Sequence, residues 1–278
     1  INLTVDTIIA THLPVGTPSI LYFADRINQL PLGVLGSAAG TALLPLLTRH
    51  IANNDRAAVH SSLNRAIDYT LLLTLPAMIG MIVLASPIMA ALFGYGHFTV
   101  SDAILSGQCL QAYALGLPAF VLIKVLSPAF FAEGDTVTPV RIGFFTLALN
   151  LVLNLLLYRP LGHIGPPLAS TIAAFVNCTL LAVILHRRGL FIADPLLKGR
   201  ALRIAGAGIM MALWVAAAEK LAAPGLPAWH GVWRLGMLTA LIIFGMLVYA
   251  VMLDALKVVR LRDATVAFQS RLNRRRAR

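Results

Sequence analysis

Long apolar segments, separated by turn-forming residues, constrain the fold of this chain more than any other feature of its sequence. A helix needs about 20 consecutive apolar residues to cross the hydrocarbon core of a bilayer, and most of the segments reach that length. No stretch shows the convincing period-two alternation of a half-buried strand. The pattern predicts an all-α polytopic membrane protein with about eight transmembrane helices. They cover residues 1–13, 18–48, 66–93, 105–131, 138–158, 166–186, 201–222 and 232–254.

The amino-acid composition agrees with this class. Of the 278 residues, 59% are hydrophobic and 12% are charged, whereas a soluble domain carries about 25% charged residues. The net charge of +11 does not indicate nucleic-acid binding, because eight of the 22 basic residues fall in the last 22 positions and no aromatic-basic pattern accompanies them. Cys109 and Cys178 lie in apolar segments, where buried thiols are expected rather than a disulfide or a metal site.

The positions of Lys and Arg predict the orientation of the chain in the membrane. Basic residues crowd the 49–65 loop, the 186–203 loop and the C-terminal tail, whereas Arg159, Lys220 and Arg234 fall on the opposite side. The positive-inside rule assigns the crowded side, and with it the C-terminus, to the cytoplasm. The tail is expected to be either a basic amphipathic helix on the inner leaflet or a solvated anchor with no specific role.

The second apolar segment carries charges where a lipid-facing helix would have none. In TPSILYFADRINQLPLG, Asp25 and Arg26 are followed by Asn28 and Gln29. A charge at the bilayer centre costs at least about 2.5–3.5 kcal/mol, so such residues usually face a cavity or a partner. The guanidinium fork of Arg26 suits bidentate phosphate binding, and the alternative is a structural ion pair. Asp25 is a poor partner for that pair, because neighbouring helical residues point about 100° apart.

Lys124 is a third charge inside a predicted helix, in the stretch GLPAFVLIKVLSPAFF. Its ammonium group could line the same cavity as Arg26. The alternative is that the long side chain extends to the inner membrane interface, because the EGD turn follows only a few residues later. The sequence does not decide between these two positions.

Asn150 and Asn154 share one face of a predicted helix at i, i+4 spacing. Their amide oxygens could coordinate a hard cation, with Asp6 supplying the negative charge and Thr171 of the following helix a hydroxyl. The alternative is hydrogen bonding between helices, which is the common role of Asn in membranes.

An enzyme would need a catalytic group at the membrane interface, and the sequence offers one weak candidate. His50 and Asp55 form H-x-x-x-x-D in the 49–65 loop, a spacing that some acyltransferases use, with the His as base and the carboxylate orienting it. The surrounding sequence RHIANNDRAAVH is typical of an ordinary polar connection. An integral membrane enzyme acting on a lipid-linked precursor therefore remains an alternative from a different class.

Three stretches of the sequence strongly resemble the MurJ/MviN family of lipid II flippases. They are YFADRINQLPLGVLGSAAGTALLPLLTRH, FGYGHFTVSD and AYALGLPAFVLIKVLSPAFFAEGDTVTPVR. The motifs A-D-R-x-x-x-x-P-x-G, G-T-A-L-L-P, K-V-L-x-P-x-F and D-x-x-T-P-V, in this order, make the resemblance specific. The likeness spans the chain and weakens beyond about residue 200.

The resemblance implies the fold of the MOP exporter superfamily, with two six-helix lobes and, in this family, two additional helices. Residues 1–190 are then expected to form the second lobe with its first helix truncated, residues 191–254 the two additional helices, and residues 255–278 a basic cytoplasmic tail. The short first segment and the missing initiator Met agree with a chain that begins within a helix. We therefore expect this chain to be the C-terminal part of a longer protein whose first lobe is missing here.

The resemblance also implies a transporter rather than an enzyme. Its substrate would be lipid II, the undecaprenyl-pyrophosphate-linked peptidoglycan precursor, moved by alternating access from the inner to the outer leaflet of the bacterial cytoplasmic membrane for cell-wall synthesis. Arg26 matches a cavity arginine of the family, and Asp25 and Lys124 are the further predicted substrate-binding residues. Some relatives have an acidic residue where Gln29 stands, so a carboxylate role at that position is lost here.

The partners expected from the resemblance are lipid II, membrane lipids and the missing first lobe, without nucleic acid. No cofactor is expected beyond a coupling monovalent cation, for which Asp6, Asn150, Asn154 and Thr171 form the predicted site. The nearest alternative function is that of a flippase for another lipid-linked oligosaccharide.

Overall fold

All regular secondary structure in the described part of the chain is helical. The computed structural model describes residues 16–222 and 232–258, without the side chains of residues 37–41, 195–198, 222 and 232. These two ranges contain eight α-helices and a short 3-10 turn at Gly162–Ile164, and no β-strand, which confirms the predicted all-α class. The helices are α1 (Thr17–Ala52), α2 (Arg56–Val83), α3 (Ala85–Phe93), α4 (Val100–Ala132), α5 (Val137–Leu161), α6 (Gly165–Arg187), α7 (Pro195–Ala222) and α8 (Val232–Ala255).

Several of these helices have the dimensions of membrane spans. Five stretches of the described residues are long and apolar enough to cross a membrane, and one of them, Val137–Arg187, contains both α5 and α6. Helix α1, which extends for 36 residues or about 54 Å and carries Asp25 and Arg26, is not one of these five stretches, although its Ala42–Ala52 part is a shorter apolar helix. The chain is therefore a multi-pass membrane protein. The predicted first segment, 1–13, lies outside the described residues.

The predicted segment 66–93 is wrong as a single helix. The structure divides it at Leu84, where α2 ends and the nine-residue α3 begins. Pro87 favours a break here, because a proline inside a continuous helix clashes with the carbonyl four residues earlier, here that of Val83, although α1, α2 and α4 continue through internal prolines. Pro87 instead lies in the first turn of a new helix, where its missing N–H leaves no hydrogen bond unmade.

The predicted loops are also too long, because hydropathy marks only the part of each helix that lies within the membrane. The 49–65 loop is reduced to Asn53–Asp55, which connects α1 to α2. Asp55 caps α2, since its carboxylate accepts a hydrogen bond at 3.0 Å from a backbone N–H in the first turn. The 186–203 loop shortens in the same way to residues 188–194.

Helix α4 is the centre of the bundle and packs against α1, α2, α3 and α6. Leu110 and Leu117 join it to one apolar cluster with α1, α3, α7 and α8, and Leu126 and Phe130 join it to a second cluster with α1, α2 and α6. Helix α5 reaches the bundle mainly through α6, and the pair α7 and α8 mainly through α2 and α3. Helix α1 packs mainly against α4 and α2, and a row of its side chains stays exposed.

Candidate substrate face and buried polar cluster

Helix α1 presents a row of side chains that the rest of the bundle does not cover. Tyr22, Arg26, Leu30 and Val34 follow one another at i, i+4 spacing, and the three apolar members are 49%, 64% and 71% exposed. The opposite side of the helix is buried, with Ala24 completely inaccessible, and packs against α4. We call these four exposed residues the α1 face. It places the guanidinium of Arg26 on an open surface rather than inside the bundle.

Contacts within α1 itself fix the position of Arg26. Its guanidinium carbon lies 4.8 Å from the centroid of the Tyr22 ring, one helical turn earlier, in a cation–π contact. Asp25 does not pair with it, because that carboxylate accepts a hydrogen bond from the side-chain amide of Gln29. Among the described residues Arg26 forms no ion pair. Stacking therefore orients the side chain while its N–H donors stay available to an acceptor from outside.

Lys124 crosses α1 at Gly36. A Cβ atom on Gly36 would lie 2.5 Å from Cδ and 2.9 Å from Nζ of Lys124, so the missing side chain makes room for the lysine. Gly36 follows Arg26 by ten residues, which corresponds to about 15 Å along the helix axis. Arg26 is carried by α1, and Lys124 reaches α1 from α4, so both predicted cations lie beside the same helix. Both side chains are exposed.

A second group of polar residues lies inside the bundle, between α5 and α6. Asn150 and Asn154 are completely buried. The side-chain amide of Asn150 donates to the hydroxyl of Ser170 at 3.0 Å, and that of Asn154 donates to the backbone carbonyl of Asn150 at 3.1 Å. The side-chain oxygen of Asn150 is buried and accepts no hydrogen bond from the described residues. We call Asn150, Asn154, Ser170 and Thr171 the polar cluster.

The hydroxyl of Thr171 contacts α4. Oγ1 donates to the backbone carbonyl of Ala112 at 2.7 Å, and a Cβ atom on Gly116 would lie 2.7 Å from that oxygen. Its neighbour Ser170, which we did not predict from the sequence, is the residue that contacts Asn150. Adjacent hydroxyls on a helix point about 100° apart, so the sequence could not say which one faces α5.

The negative charge of the predicted cation site would come from Asp6, which lies outside the described residues. Within the described ranges there is no group of three or more His, Cys, Asp or Glu side chains that could hold a metal ion. A cation bound at the polar cluster would therefore depend on neutral oxygens, such as that of Asn150, together with the Asp6 carboxylate.

The side chains of His50 and Asp55 have separate surroundings. His50 lines a cavity of about 590 Å³ between α1 and α2, together with Arg65 and Tyr69. Asp55 does not line that cavity, and its carboxylate caps α2 through the backbone N–H of Ala58. A catalytic base needs its orienting group within hydrogen-bond reach, so the enzyme alternative gains no support from this pair.

A charged contact joins the end of α6 to the turn between α4 and α5. Arg188 lies 3.2 Å from a carboxylate oxygen of Glu133 and 2.7 Å from one of Asp135. Asp135 also accepts hydrogen bonds from the hydroxyl and the backbone N–H of Thr138, at 2.6 and 2.9 Å. The Thr138 hydrogen bonds, followed by that from Arg188, hold the pKa of Asp135 well below its usual range.

The fold of this chain is shared by solved membrane transporters. It resembles the outward-facing structure of a multidrug resistance MATE family transporter of the MOP superfamily with a TM-score of 0.58, covering 90% of this chain and 59% of that chain at 16% identity, which shows the fold alone. A structure of lipid II flippase MurJ in an inward closed conformation matches with a TM-score of 0.73 and 26% identity, covering 91% of this chain and 50% of that chain. The class defined by the fold is that of helical membrane proteins built like these transporters.

Sequence comparison then identifies the family. The family described as lipid II flippase MurJ matches residues 1–231, so this chain belongs to the MurJ family. A probable lipid II flippase from Rhizobium meliloti (strain 1021) is 41% identical over 225 residues, covering 81% of this chain and 42% of the relative. Another from Rickettsia prowazekii (strain Madrid E) is 41% identical over 181 residues, covering 65% of this chain and 36% of the relative. The chain thus spans less than half the length of these relatives, and the family predicted from its motifs is confirmed.

Proposed function

We propose that the protein containing this chain moves lipid II from the inner to the outer leaflet of the bacterial cytoplasmic membrane. The observation that carries the proposal is Arg26, a permanent charge held on an uncovered face of a membrane helix in a chain of this family. Because an arginine facing lipid would be costly, we infer that the α1 face borders a hydrated cavity. A preceding six-helix lobe of the same protein would form the other wall.

The chemistry of a lipid-linked pyrophosphate fits this arginine. The planar guanidinium can donate two parallel N–H bonds to one phosphate, and the contact with Tyr22 holds it ready to do so. Asp25 is engaged by Gln29, and because a carboxylate repels phosphate we expect Asp25 to shape the local charge rather than contact the anion. Lys124 supplies a second positive charge about 15 Å along the helix. Arg26 and Lys124 would bind the headgroup one after the other as the cavity changes from inward-open to outward-open.

Two driving forces are compatible with this arrangement. A membrane potential that is negative inside favours outward movement of an anionic headgroup by about 2.3 kcal/mol per charge per 100 mV. A monovalent cation bound by Asp6, Asn150, Asn154 and Thr171 would add a second coupling. The buried side-chain oxygen of Asn150, which has no donor among the described residues, supports that site.

The test of the main proposal is rescue of cells depleted of their own lipid II flippase by the protein that contains this chain. We expect wild type to rescue and both Arg26→Ala and Arg26→Lys to fail at equal membrane abundance, because lysine lacks the planar fork. Arg159→Ala is the matched control, since Arg159 also lies over a tyrosine of its own helix, 5.7 Å from the Tyr158 centroid, but at the end of α5. Rescue by Arg26→Ala would refute the role of Arg26, and failure of well-expressed wild type would refute the lipid II assignment.

The cation site has a separate test. Thermal unfolding of the purified protein is measured in sodium, potassium or choline chloride at constant ionic strength. We expect one of the two metal cations to raise the unfolding midpoint of wild type and not that of Asn150→Leu, which lacks the amide oxygen. Equal midpoints in all three salts for the wild-type protein would rule out the site.

A further inference from the structure

A groove lined by no residue of the α1 face lies where four helix ends meet. It has a volume of about 520 Å³, and its walls come from α3, the start of α4, the end of α7 and the start of α8. The lining is mainly apolar, with Phe98, Ile104, Met237 and Leu241 among its larger side chains. No residue of α1 lines it, so this groove is separate from the surface that carries Arg26. Its volume is in the range of pockets that bind small organic ligands.

Two opposite charges, Glu219 of α7 and Arg234 of α8, line this otherwise apolar groove. Among the described residues neither side chain forms an ion pair. The guanidinium of Arg234 reaches across to α3, where a Cβ atom on Gly94 would lie 3.3 Å from its Nη1 atom. Two charges of opposite sign beside an apolar surface are complementary to a ligand that carries the matching pair of charges and an apolar part.

We propose that this groove binds a phospholipid whose headgroup carries both a phosphate and a primary ammonium. The phosphate would accept hydrogen bonds from Arg234, and the ammonium would donate to the Glu219 carboxylate. One acyl chain would lie along the apolar wall formed by α4 and α8. The proposal does not depend on the function of the α1 face, because the two surfaces share no residue.

The charge pair also predicts which lipids are rejected. Glu219 would repel an anionic headgroup such as phosphatidylglycerol, which offers no cation in exchange. A phosphatidylcholine headgroup is zwitterionic, but its quaternary ammonium has no N–H to donate to the carboxylate. The expected order of binding is therefore phosphatidylethanolamine first, phosphatidylcholine second and phosphatidylglycerol last.

The experiment is native mass spectrometry of the purified full chain, titrated with these three lipids bearing identical acyl chains. We expect Arg234→Ala to lower the retention of phosphatidylethanolamine about tenfold or more, as for the loss of a charged hydrogen bond. Glu219→Gln should abolish the preference for phosphatidylethanolamine over phosphatidylglycerol. Lys220→Ala is the matched control, because it removes a charge next to Glu219 from a residue that does not line the groove.

A further variant tests the apolar part of the site without changing a charge. Ala91→Phe fills part of the groove and should lower the binding of all three lipids, while gel filtration and circular dichroism verify that the variant is folded. Equal retention of phosphatidylethanolamine by wild type, Arg234→Ala and Ala91→Phe would overturn the proposal. A wild-type preference for phosphatidylglycerol would overturn it as well, since it would assign the groove to an anionic ligand.

Discussion

The α1 face and the polar cluster both place polar residues on helices of a membrane protein, but they do so in opposite ways. On the α1 face a full charge is exposed, and its contacts within the described bundle are local, from Arg26 to the Tyr22 ring one turn away. In the polar cluster the groups are neutral and buried, and they join different helices, as Asn150 of α5 joins Ser170 of α6.

This difference shows how a membrane helix can carry polar groups for two purposes. Neutral amides and hydroxyls can be buried because their hydrogen bonds are made inside the protein, and they then contribute to helix packing. A guanidinium that nothing in the described bundle neutralises requires water or an anionic ligand beside it. We therefore expect substitutions on the α1 face to change transport and substitutions around the polar cluster to change stability.

The largest effect is expected for Arg26→Ala. Losing hydrogen bonds between charged groups, worth about 1.5–3 kcal/mol, should lower transport about 10- to 100-fold, measured as protection of the lipid II headgroup in vesicles. The thermal unfolding midpoint should stay close to that of wild type, because Arg26 is exposed and stacks on the exposed Tyr22 ring. If the unfolding midpoint of Arg26→Ala falls together with its transport activity, the α1 face and the polar cluster do not differ in the way proposed.

The next largest effect is expected for Gly116→Ala, beside the polar cluster. The new Cβ atom would lie 2.7 Å from both the Thr171 hydroxyl and the Phe120 ring, and overpacking of this kind costs about 1–3 kcal/mol. Gly143→Ala is the matched control, because a Cβ atom there meets nothing within 4 Å. Unfolding in detergent should separate the two variants, and equal stability would argue against close packing at Thr171.

A smaller effect, about 1 kcal/mol, is expected for Asn150→Leu, which removes the hydrogen bond to Ser170. If this bond is the main contribution, Asn150→Leu should cost much less in a Ser170→Ala background, because the partner is already gone. A double-mutant cycle on the free energy of unfolding measures the coupling. If the free-energy changes of the two substitutions add fully, Asn150 does not stabilise the protein through its hydrogen bond to Ser170.

The smallest effect is expected outside the membrane, at Asp135. Hydrogen bonds from Thr138 and Arg188 lower the pKa of this carboxylate in the folded state, so its stabilising effect is complete above its ordinary pKa of 3.8 and is lost as the pH falls below that value. Asp135→Asn should therefore be less stable than wild type at pH 7. The difference in stability between the two proteins should become smaller toward pH 3. Unfolding midpoints of both proteins measured between pH 7 and pH 3 test this prediction. A difference in midpoint that does not change with pH would contradict it.

The local sequence was sufficient for the class and the family of the protein. Apolar runs long enough to cross a bilayer are typical of membrane helices, and the ADR and KVL motifs resemble those of the MurJ family. The helices and the family could therefore both be predicted from the sequence. Helix ends were predicted poorly because the helices continue into polar segments, where hydrogen bonding and caps such as Asp55 decide where a helix stops.

The sequence by itself determined which residues are unusual in a membrane helix, among them Arg26, Lys124 and Asn150. Only the tertiary structure decided what surrounds each of them, because that depends on contacts between residues far apart in the chain. Packing against α4 leaves Arg26 on the open side of α1, the missing side chain of Gly36 admits Lys124, and the rotation of α6 turns Ser170 toward Asn150 and Thr171 toward Ala112. The same packing brings Glu219 and Arg234 to one groove, although α7 and α8 give no local signal of it.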